Sequence, residues 1–164
     1  MGSGRLQQGK RFKVIMKKTI MLVASSGGHW VQLTRILPAL DDYEKVFVTT
    51  DPKYRSTVGT HRFLLVPDAS RWNKLQVVWL ALITLKHVLI VQPDVVVSTG
   101  AAPGFFAILF GKKLGAKTIW IDSIANVDEL SMSGRMVGKH ADLWLTQWKH
   151  LATDNGPKYA GEVL

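Results

Sequence analysis

The sequence contains no cysteine. This absence excludes a disulfide scaffold, a zinc site built from thiolates and a cysteine nucleophile, and it fits a reducing compartment such as the cytosol. The five histidines include no pair at the spacing of metal ligands on one helix, so the sequence predicts no metal site. A serine nucleophile at a G-x-S-x-G turn is lacking as well.

The chain also lacks internal repeats, low-complexity segments and a recognisable secretory signal. Its 164 residues are 47% hydrophobic and 20% charged, which predicts one globular domain with a substantial core. Residues 1–15 have no hydrophobic period and read as a tag or non-native leader, so the domain is expected at residues 16–164. Removing the four basic residues of this leader lowers the net charge from +9 to +5. The remainder still favours anionic partners such as lipid headgroups and diphosphates.

Continuous apolar runs alternate with stretches of helical spacing. Strands that are apolar throughout are buried on both faces, which predicts an α/β fold: a single Rossmann-like domain with a parallel sheet and helices on both faces. In such sheets ligands bind beyond the carboxyl ends of the strands. The predicted strands are 19–24, 45–50, 62–66, 94–98, 117–121 and 143–146, and the predicted helices are 30–40, 73–92, 105–114 and 132–140.

The first loop at a carboxyl end is S-S-G-G-H, from Ser25 to His29. Glycines let the backbone approach a ligand, and free N–H groups at a helix start bind anions. The loop therefore favours a phosphate site over a tight turn that needs glycine for backbone reasons alone, although it matches neither common nucleotide-binding fingerprint. The positive helix end favours a neutral His29 ring, which can accept a proton from an attacking hydroxyl. Capping of the turn is the more ordinary alternative.

Two further loops leave neighbouring strand ends. In S-T-G-A-A-P-G, small residues surround Gly100, and Pro103 is predicted to start the next helix. Alone this is an ordinary turn, but two such loops side by side favour a diphosphate held between them. In D-S-I-A-N, Asp122 ends an apolar strand, where a carboxylate orients a sugar hydroxyl, acts as a base or simply caps a turn.

The stretch from Leu75 to Val91 carries more apolar surface than one buried face needs. It is slightly short and too polar for a comfortable transmembrane helix, which needs about 20 apolar residues. Tryptophan and basic residues beside an apolar helix suit a membrane interface, and burial under a partner subunit is an equal alternative. The predicted membrane contacts are Trp72, Lys74, Trp79 and Lys86.

These loops and the segment D-S-I-A-N-V-D-E-L-S-M-S-G-R-M-V-G-K-H-A-D-L-W-L-T-Q-W resemble the Alg14/PssD/CpsF family of oligosaccharide and capsule biosynthesis proteins, over residues 18–164. The resemblance implies the N-terminal half of a GT-B glycosyltransferase of the MurG type. In that family this half is a separate acceptor-binding chain at the cytosolic membrane face. A partner subunit holds the nucleotide-sugar donor, so no cofactor is expected on this chain itself.

The resemblance also implies roles for individual residues. Eukaryotic members carry an N-terminal membrane helix that this chain is expected to lack, and the family often has Glu-Ser where this chain has Asp122-Ser123, which argues against a strict catalytic role for the shorter aspartate. The implied catalytic residues are His29 and Asp122. The implied diphosphate-binding residues are Ser26, Gly27, Gly28, His29, Thr99, Gly100, Ala101 and Ser123. The implied partner interface comprises Gln147, Trp148, Tyr159, Gly161 and Leu164.

The sequence therefore predicts a peripheral subunit at the cytoplasmic face of a membrane. With a donor-binding partner, it would transfer a sugar from a UDP-sugar to a lipid-diphosphate-linked saccharide during polysaccharide or glycan precursor synthesis. Alone it would be inactive or weak. The alternative is a non-catalytic membrane recruiter for the catalytic subunit. Nucleic-acid binding is not expected, because the basic residues are scattered and form no recognised motif.

Overall fold

A computed structural model of the chain describes residues 17–70 and 72–163, and the predicted leader at 1–15 and Leu164 lie outside this part. Strands and helices alternate along it. The strands are β1 (Thr19–Val23), β2 (Glu44–Thr49), β3 (Arg62–Leu65), β4 (Val95–Ser98), β5 (Lys117–Ile121), β6 (Leu143–Thr146) and β7 (Lys158–Tyr159). The α-helices are α1 (Gly28–Arg35), α2 (Lys74–Val91), α3 (Ala101–Lys113) and α4 (Met132–Val137), and 3₁₀ turns occupy Leu37–Leu40, Pro52–Thr57 and Lys149–Leu151.

The strands form one parallel sheet in the order β3-β2-β1-β4-β5-β6-β7. The chain builds the sheet outward from β1 to β3 and then returns to place β4 on the other side of β1. This reversal opens a crevice at the carboxyl ends of β1 and β4, which is where ligands bind in sheets of this type. The predicted Rossmann-like α/β fold is confirmed.

The side chains of the sheet feed two separate apolar layers, because successive residues of a strand point to opposite faces. Met21 of β1 packs in one layer with Leu80 of α2 and Ile108 of α3, and α4 joins this layer. Leu22, the next residue, packs in the other layer with Leu33 of α1. Helices therefore cover both faces, with α1 alone on one side and α2, α3 and α4 on the other.

The last helix ends at Val137 and not at residue 140 as predicted, and three further details differ from the sequence prediction. The first helix begins earlier, at Gly28, and ends at Arg35, because Pro38 lacks the N–H that a continuing α-helix needs and sits in a separate 3₁₀ turn. The predicted loop at 100–104 is largely helical, since α3 begins at Ala101 and takes Pro103 into its first turn, where a missing N–H breaks no helical bond. Strand β7 has only two residues, too few for a recognisable strand pattern.

Helix α3 lies flush on β4 because glycines face the strand. A Cβ atom on Gly104 would lie 1.8 Å from Oγ of Ser98, and one on Gly111 would lie 2.6 Å from Cγ2 of Val96. Both distances are far below ordinary van der Waals contact, so larger residues would push the helix away from the sheet. This close packing fixes the position of the α3 N-terminus over the carboxyl end of β4.

At the amino-terminal ends of the strands, away from the crevice, Asp142 joins α3 to β5. Its carboxylate pairs with Nζ of Lys112 at the end of α3 and accepts hydrogen bonds from N and Oγ1 of Thr118 in β5, at 2.9 and 3.0 Å. The hydrogen bond from Lys112, with further help from Thr118, lowers the pKa of Asp142 from 3.8 to about 2. The ionised carboxylate therefore stabilises the folded chain.

The Asp142→Asn variant is expected to unfold more easily at neutral pH. The folded-state pKa lies below the unfolded value, so the carboxylate stabilises the fold above about pH 4 and its contribution disappears as the pH falls through about 2. Solvent screening at this surface limits the expected loss in the free energy of unfolding to about 1 kcal/mol. Urea unfolding across this pH range measures it, and a difference from wild type that stayed constant with pH would contradict the assignment.

Candidate functional site

The three predicted loops follow three consecutive strands of the sheet, β1, β4 and β5. Parallel strands end at the same edge, so the fold brings the loops together as the sequence predicted. Helices α1 and α3, which follow the first two loops, lie on opposite faces of the sheet. Their N-termini meet at the crevice between β1 and β4.

His29 and Thr99 hold the first two loops together through a reciprocal pair of hydrogen bonds. Nδ1 of His29 lies 2.9 Å from the carbonyl oxygen of Thr99, and Oγ1 of Thr99 donates to the carbonyl of His29 at 2.7 Å. Because a carbonyl can only accept, Nδ1 carries the proton. When the ring is neutral, its lone pair is therefore on Nε2, the nitrogen that can accept a proton.

Gly100 makes room for this ring. Its φ angle is 143°, a conformation that residues with side chains rarely adopt, and a Cβ atom there would lie 2.3 Å from Nδ1 of His29. The glycine is therefore needed both for the turn and for the position of the histidine. The sequence pattern singled out Gly100 as a ligand-binding residue, and the geometry adds this second role.

The backbone amides of the first loop are partly engaged. The N–H of Ser26 donates to Oγ1 of Thr50, and the N–H of Gly27 donates to the hydroxyl of Tyr54, at 3.2 and 3.0 Å. Tyr54 is held in place by stacking on Trp30, with ring centroids 4.7 Å apart. The donors left for an anion are therefore the first-turn amides of α1, which lack acceptors within the helix.

Helices α1 and α3 share a feature at their starts: neither has a side-chain cap. The N-cap residues are Gly27 and Gly100, and glycine has no side chain with which to accept from the first-turn N–H groups. Those groups carry the positive end of each helix dipole. Two uncapped N-termini at one crevice form a local environment that attracts negative charge.

Asp122 lies below the surface at the end of β5, with 2% of the residue exposed. Its carboxylate accepts hydrogen bonds from both the hydroxyl and the backbone N–H of Ser131, at 2.6 and 2.9 Å. Ser131 in turn caps α4 through the N–H of Gly134. The cap of α4 is therefore Ser131 and not Asp122, whose carboxylate holds the capping serine in place. A catalytic role for Asp122 stays a prediction.

Of the other predicted site residues, Thr99 and Ala101 lie at the crevice and Ser123 lies in the third loop. Thr99 turns its hydroxyl to His29, and Ala101 has a positive φ of 67° at the start of α3. Ser123 is buried, and its Oγ accepts from Nε2 of Gln32 at 3.0 Å. Gln32 belongs to this set, although an isolated glutamine on a helix gives no sequence signal. The binding roles of these residues stay predictions.

The predicted partner-facing residues differ in exposure. Gln147 is 1% exposed and its side chain lies inside the fold, where a direct contact with another chain through that side chain is not expected. Trp148 is partly buried and donates to the carbonyl of Ile124 at 2.8 Å. Tyr159 and Gly161 lie at the surface, and Leu164 lies outside the described residues.

Helix α2 exposes most of its apolar surface. Within the described part of the chain it is the one helix long and apolar enough to cross a membrane, judged by length and composition alone, with 17% of its residues buried. The same test is passed by core helices of soluble proteins, so it does not separate spanning from surface contact. The predicted membrane contacts on or beside this helix are all exposed: Trp72, Lys74, Trp79 and Lys86.

Comparison with known proteins identifies the family. The model of the family described as "Oligosaccharide biosynthesis protein Alg14 like" matches residues 67–163, more than half of the chain. This chain belongs to the Alg14-like family. A UDP-N-acetylglucosamine transferase subunit ALG14 of Candida albicans is 26% identical over 175 aligned residues, covering 87% of this chain and 76% of its own length. The namesake subunit of Debaryomyces hansenii is 28% identical, covering 81% and 70%.

Solved structures show which fold this Alg14-like chain shares. MurG of Acinetobacter baumannii superimposes with a TM-score of 0.72 at 11% identity, over 87% of this chain and 45% of MurG. A UDP-GlcNAc 2-epimerase of Methanocaldococcus jannaschii gives a TM-score of 0.52 at 16% identity, over 63% of this chain and 31% of the epimerase. At these identities the likeness concerns the fold alone. The chain spans less than half of either protein and corresponds to the N-terminal half of MurG.

The Gly100→Ala variant is expected to displace the His29 ring, because the new methyl group would overlap Nδ1. The bond from Nδ1 to Thr99 would break, and the ¹⁵N signals of the imidazole in NMR spectra would move. Gly115→Ala is the matched control, since Gly115 also has a positive φ, of 91°, but faces open space. Identical imidazole spectra in wild type and Gly100→Ala would contradict the position of the His29 ring described above.

Proposed function

We propose that this chain is the acceptor-binding subunit of a membrane-associated glycosyltransferase. It takes a lipid-diphosphate-linked saccharide as acceptor, and a partner subunit binds the UDP-sugar donor. The observation that carries the proposal is the position of His29 at the crevice, with Nδ1–H directed to Thr99 and two uncapped helix N-termini beside it. A proton acceptor next to an anion-attracting pocket is what this transfer requires of the acceptor side.

The diphosphate of the acceptor suits the crevice by charge. The first-turn amides of α1 and α3, beginning at Gly28 and Ala101, supply donors from two directions, and each helix adds the positive end of its dipole. The net charge of +5 that remains without the predicted leader acts in the same direction at long range. The amides of Ser26 and Gly27 would join only if a phosphate oxygen replaced their present partners.

The proposed chemistry is a direct displacement at the anomeric carbon of the donor sugar. The acceptor hydroxyl attacks that carbon, the bond to the UDP oxygen breaks, and the hydroxyl proton passes to Nε2 of His29. Asp122 is the second candidate base, but its carboxylate already accepts two hydrogen bonds from Ser131. We therefore assign the base to His29 and the position of the third loop to Asp122.

The donor is assigned to a second chain. The fungal relatives carry the name of transferase subunits for UDP-N-acetylglucosamine, which makes this nucleotide sugar the first donor to test. The described residues form one Rossmann-like domain, and the match to MurG covers only 45% of the MurG chain. Trp148, Tyr159 and Gly161, near the far edge of the sheet, are the proposed contacts with the partner.

The lipid part of the acceptor finds apolar surface next to the crevice. A groove of about 410 Å³ runs between α2, α3 and α4, and its walls include Ala102 and Phe105 from the first turns of α3. The exposed face of α2 adjoins it, with Trp79 and Lys86 as the interfacial anchors that a cytoplasmic membrane surface favours. The proposed location is therefore the membrane surface, with the crevice close to it.

Transfer is expected only when this chain and its donor-binding subunit are combined on membranes. The assay uses UDP-sugars, UDP-N-acetylglucosamine first, with lipid-diphosphate saccharides of capsule, exopolysaccharide and glycan-precursor type as acceptors. The His29→Ala variant should bind the partner normally and lose about 100-fold or more in rate, because a general base contributes about that much. The control is His61→Ala, a change at the amino-terminal end of β3 and away from the crevice, which should keep the wild-type rate.

Two results would reject this function. Transfer by this chain alone would require a donor site on the chain itself. Full activity of His29→Ala in an intact complex would support the alternative, a recruiter without a part in the chemistry.

Membrane binding is expected to depend on the exposed face of α2. Replacing Trp79 and Leu82, both more than half exposed, with serine removes apolar surface that a lipid bilayer would bury. The partition coefficient onto anionic phospholipid vesicles in flotation experiments should fall at least about tenfold. Val31→Ser, an exposed apolar change on α1, is the control. Unchanged flotation of the double variant would refute the membrane role of this face.

A further inference from the structure

Two glutamines that are far apart in the sequence form a chain of hydrogen bonds beneath the crevice. Gln32 lies in α1 and is 5% exposed, and Gln147 follows β6 and is 1% exposed. Nε2 of Gln147 donates to Oε1 of Gln32 at 2.6 Å. Buried amides of this kind are costly unless all their polar atoms are paired.

The backbone partners of Gln147 fix the orientation of its amide. Its Nε2 also donates to the carbonyl of Asp122 at 2.9 Å, and its Oε1 accepts from the N–H of Val163 at 2.7 Å. A carbonyl can only accept and an N–H can only donate, so neither atom of the amide can be exchanged for the other. Gln147 thus joins Val163, near the C-terminus, to the end of β5.

Gln32 continues the chain of bonds into the first and third loops. Its Nε2 donates to the carbonyl of Gly28 at 3.2 Å and to Oγ of Ser123 at 3.0 Å. Its Oε1 accepts from the N–H of Ile124 at 3.1 Å as well as from Gln147. The orientation is again fixed by backbone groups, and both loops that border the second loop are bonded to one side chain.

The C-terminal segment, residues 160–163, crosses back from β7 to α1. Arg35 of α1 contributes a further bond to it, from Nη1 to the carbonyl of Val163 at 3.4 Å. A cleft of about 230 Å³ lies between the segment and the residues Ile36, Ile121 and Leu145. Residues 160–162 are exposed, so another molecule can reach the segment while its far end stays bonded to Gln147.

We infer that Gln147 and Gln32 are positioning residues that couple the docking of the C-terminal segment to the geometry of the acceptor loops. The inference rests on the proposed function for its meaning in catalysis, but the coupling is a property of the folded chain. When the segment is docked, Gln147 is held against Gln32, and Gln32 holds Gly28 and Ile124. A partner subunit that contacts the exposed residues 160–162 would therefore act on the first loop, which carries His29, and on the third loop.

The first test measures the coupling without any transfer reaction. In Gln147→Met, the side chain keeps its length and loses its hydrogen bonds. Amide exchange should accelerate at least tenfold at Val163, because its N–H loses the acceptor on Gln147. It should also accelerate at Ile124, although the acceptor of that N–H, Gln32, is unchanged. Truncation after Tyr159 should accelerate exchange at Ile124 in the same way. The His29 imidazole signals should shift in both variants. Asp142→Asn is the control, because Asp142 lies at the amino-terminal ends of the strands, away from the crevice, and its substitution should leave the His29 signals unchanged.

The second test asks whether the two glutamines act as one unit. Gln32→Met, Gln147→Met and the double variant are compared for the exchange rate at Ile124 and, in the complex with the partner, for the acceptor KM and kcat. Shared action predicts that the double variant is no worse than Gln32→Met and that KM rises severalfold while kcat changes little. If no transfer is found in wild type, the proposed function fails while the exchange data still decide the coupling.

Wild-type exchange at Ile124 in both Gln147→Met and the truncated chain would overturn the inference. Additive effects of the two substitutions would do the same, because independent sites add and members of one hydrogen-bond chain do not.

Discussion

The site depends on the reciprocal hydrogen bonds between His29 and Thr99. The two residues belong to the loops after β1 and β4, the adjacent strands at which the sheet reverses its order. The reversal would open a crevice in any sheet of this topology, but these bonds determine which atoms face it. They fix the tautomer of the ring, and they require a glycine at position 100, because any side chain there would occupy the space of the imidazole.

Features that depend on local pattern could be predicted from the sequence, and features that depend on distant partners could not. The six predicted strands were found because apolar runs are a local signal, whereas the start of α3 was misplaced because the small residues at 100–104 carry no helical period. Asp122 was recognised as a candidate, but its partner Ser131 lies nine residues away. Gln32 and Gln147 are 115 residues apart, and only the folded sheet brings their amides together.

The chain exposes more apolar surface on α2 than a soluble domain without partners usually does. Helix α2 buries one stripe, Leu80, Thr84 and Val88, and leaves its other apolar residues in contact with solvent. Contiguous exposed apolar patches on soluble proteins mark contacts with another molecule or a membrane. The helix begins at the edge of the sheet that holds the crevice, so whatever covers α2 also approaches the acceptor site. The proposed lipid-linked acceptor would use both surfaces, with its lipid on the apolar side and its diphosphate in the crevice.

The division of labour in the proposed enzyme follows from what one Rossmann-like domain can supply. The positive N-termini of α1 and α3 and the Nε2 lone pair of His29 are in place before any donor arrives, because they depend only on bonds within this chain. Stabilisation of the departing nucleotide needs cationic or N–H groups on the other side of the anomeric carbon. In the proposed reaction those groups come from the partner. Assembly then completes the site by adding the donor side to the acceptor side.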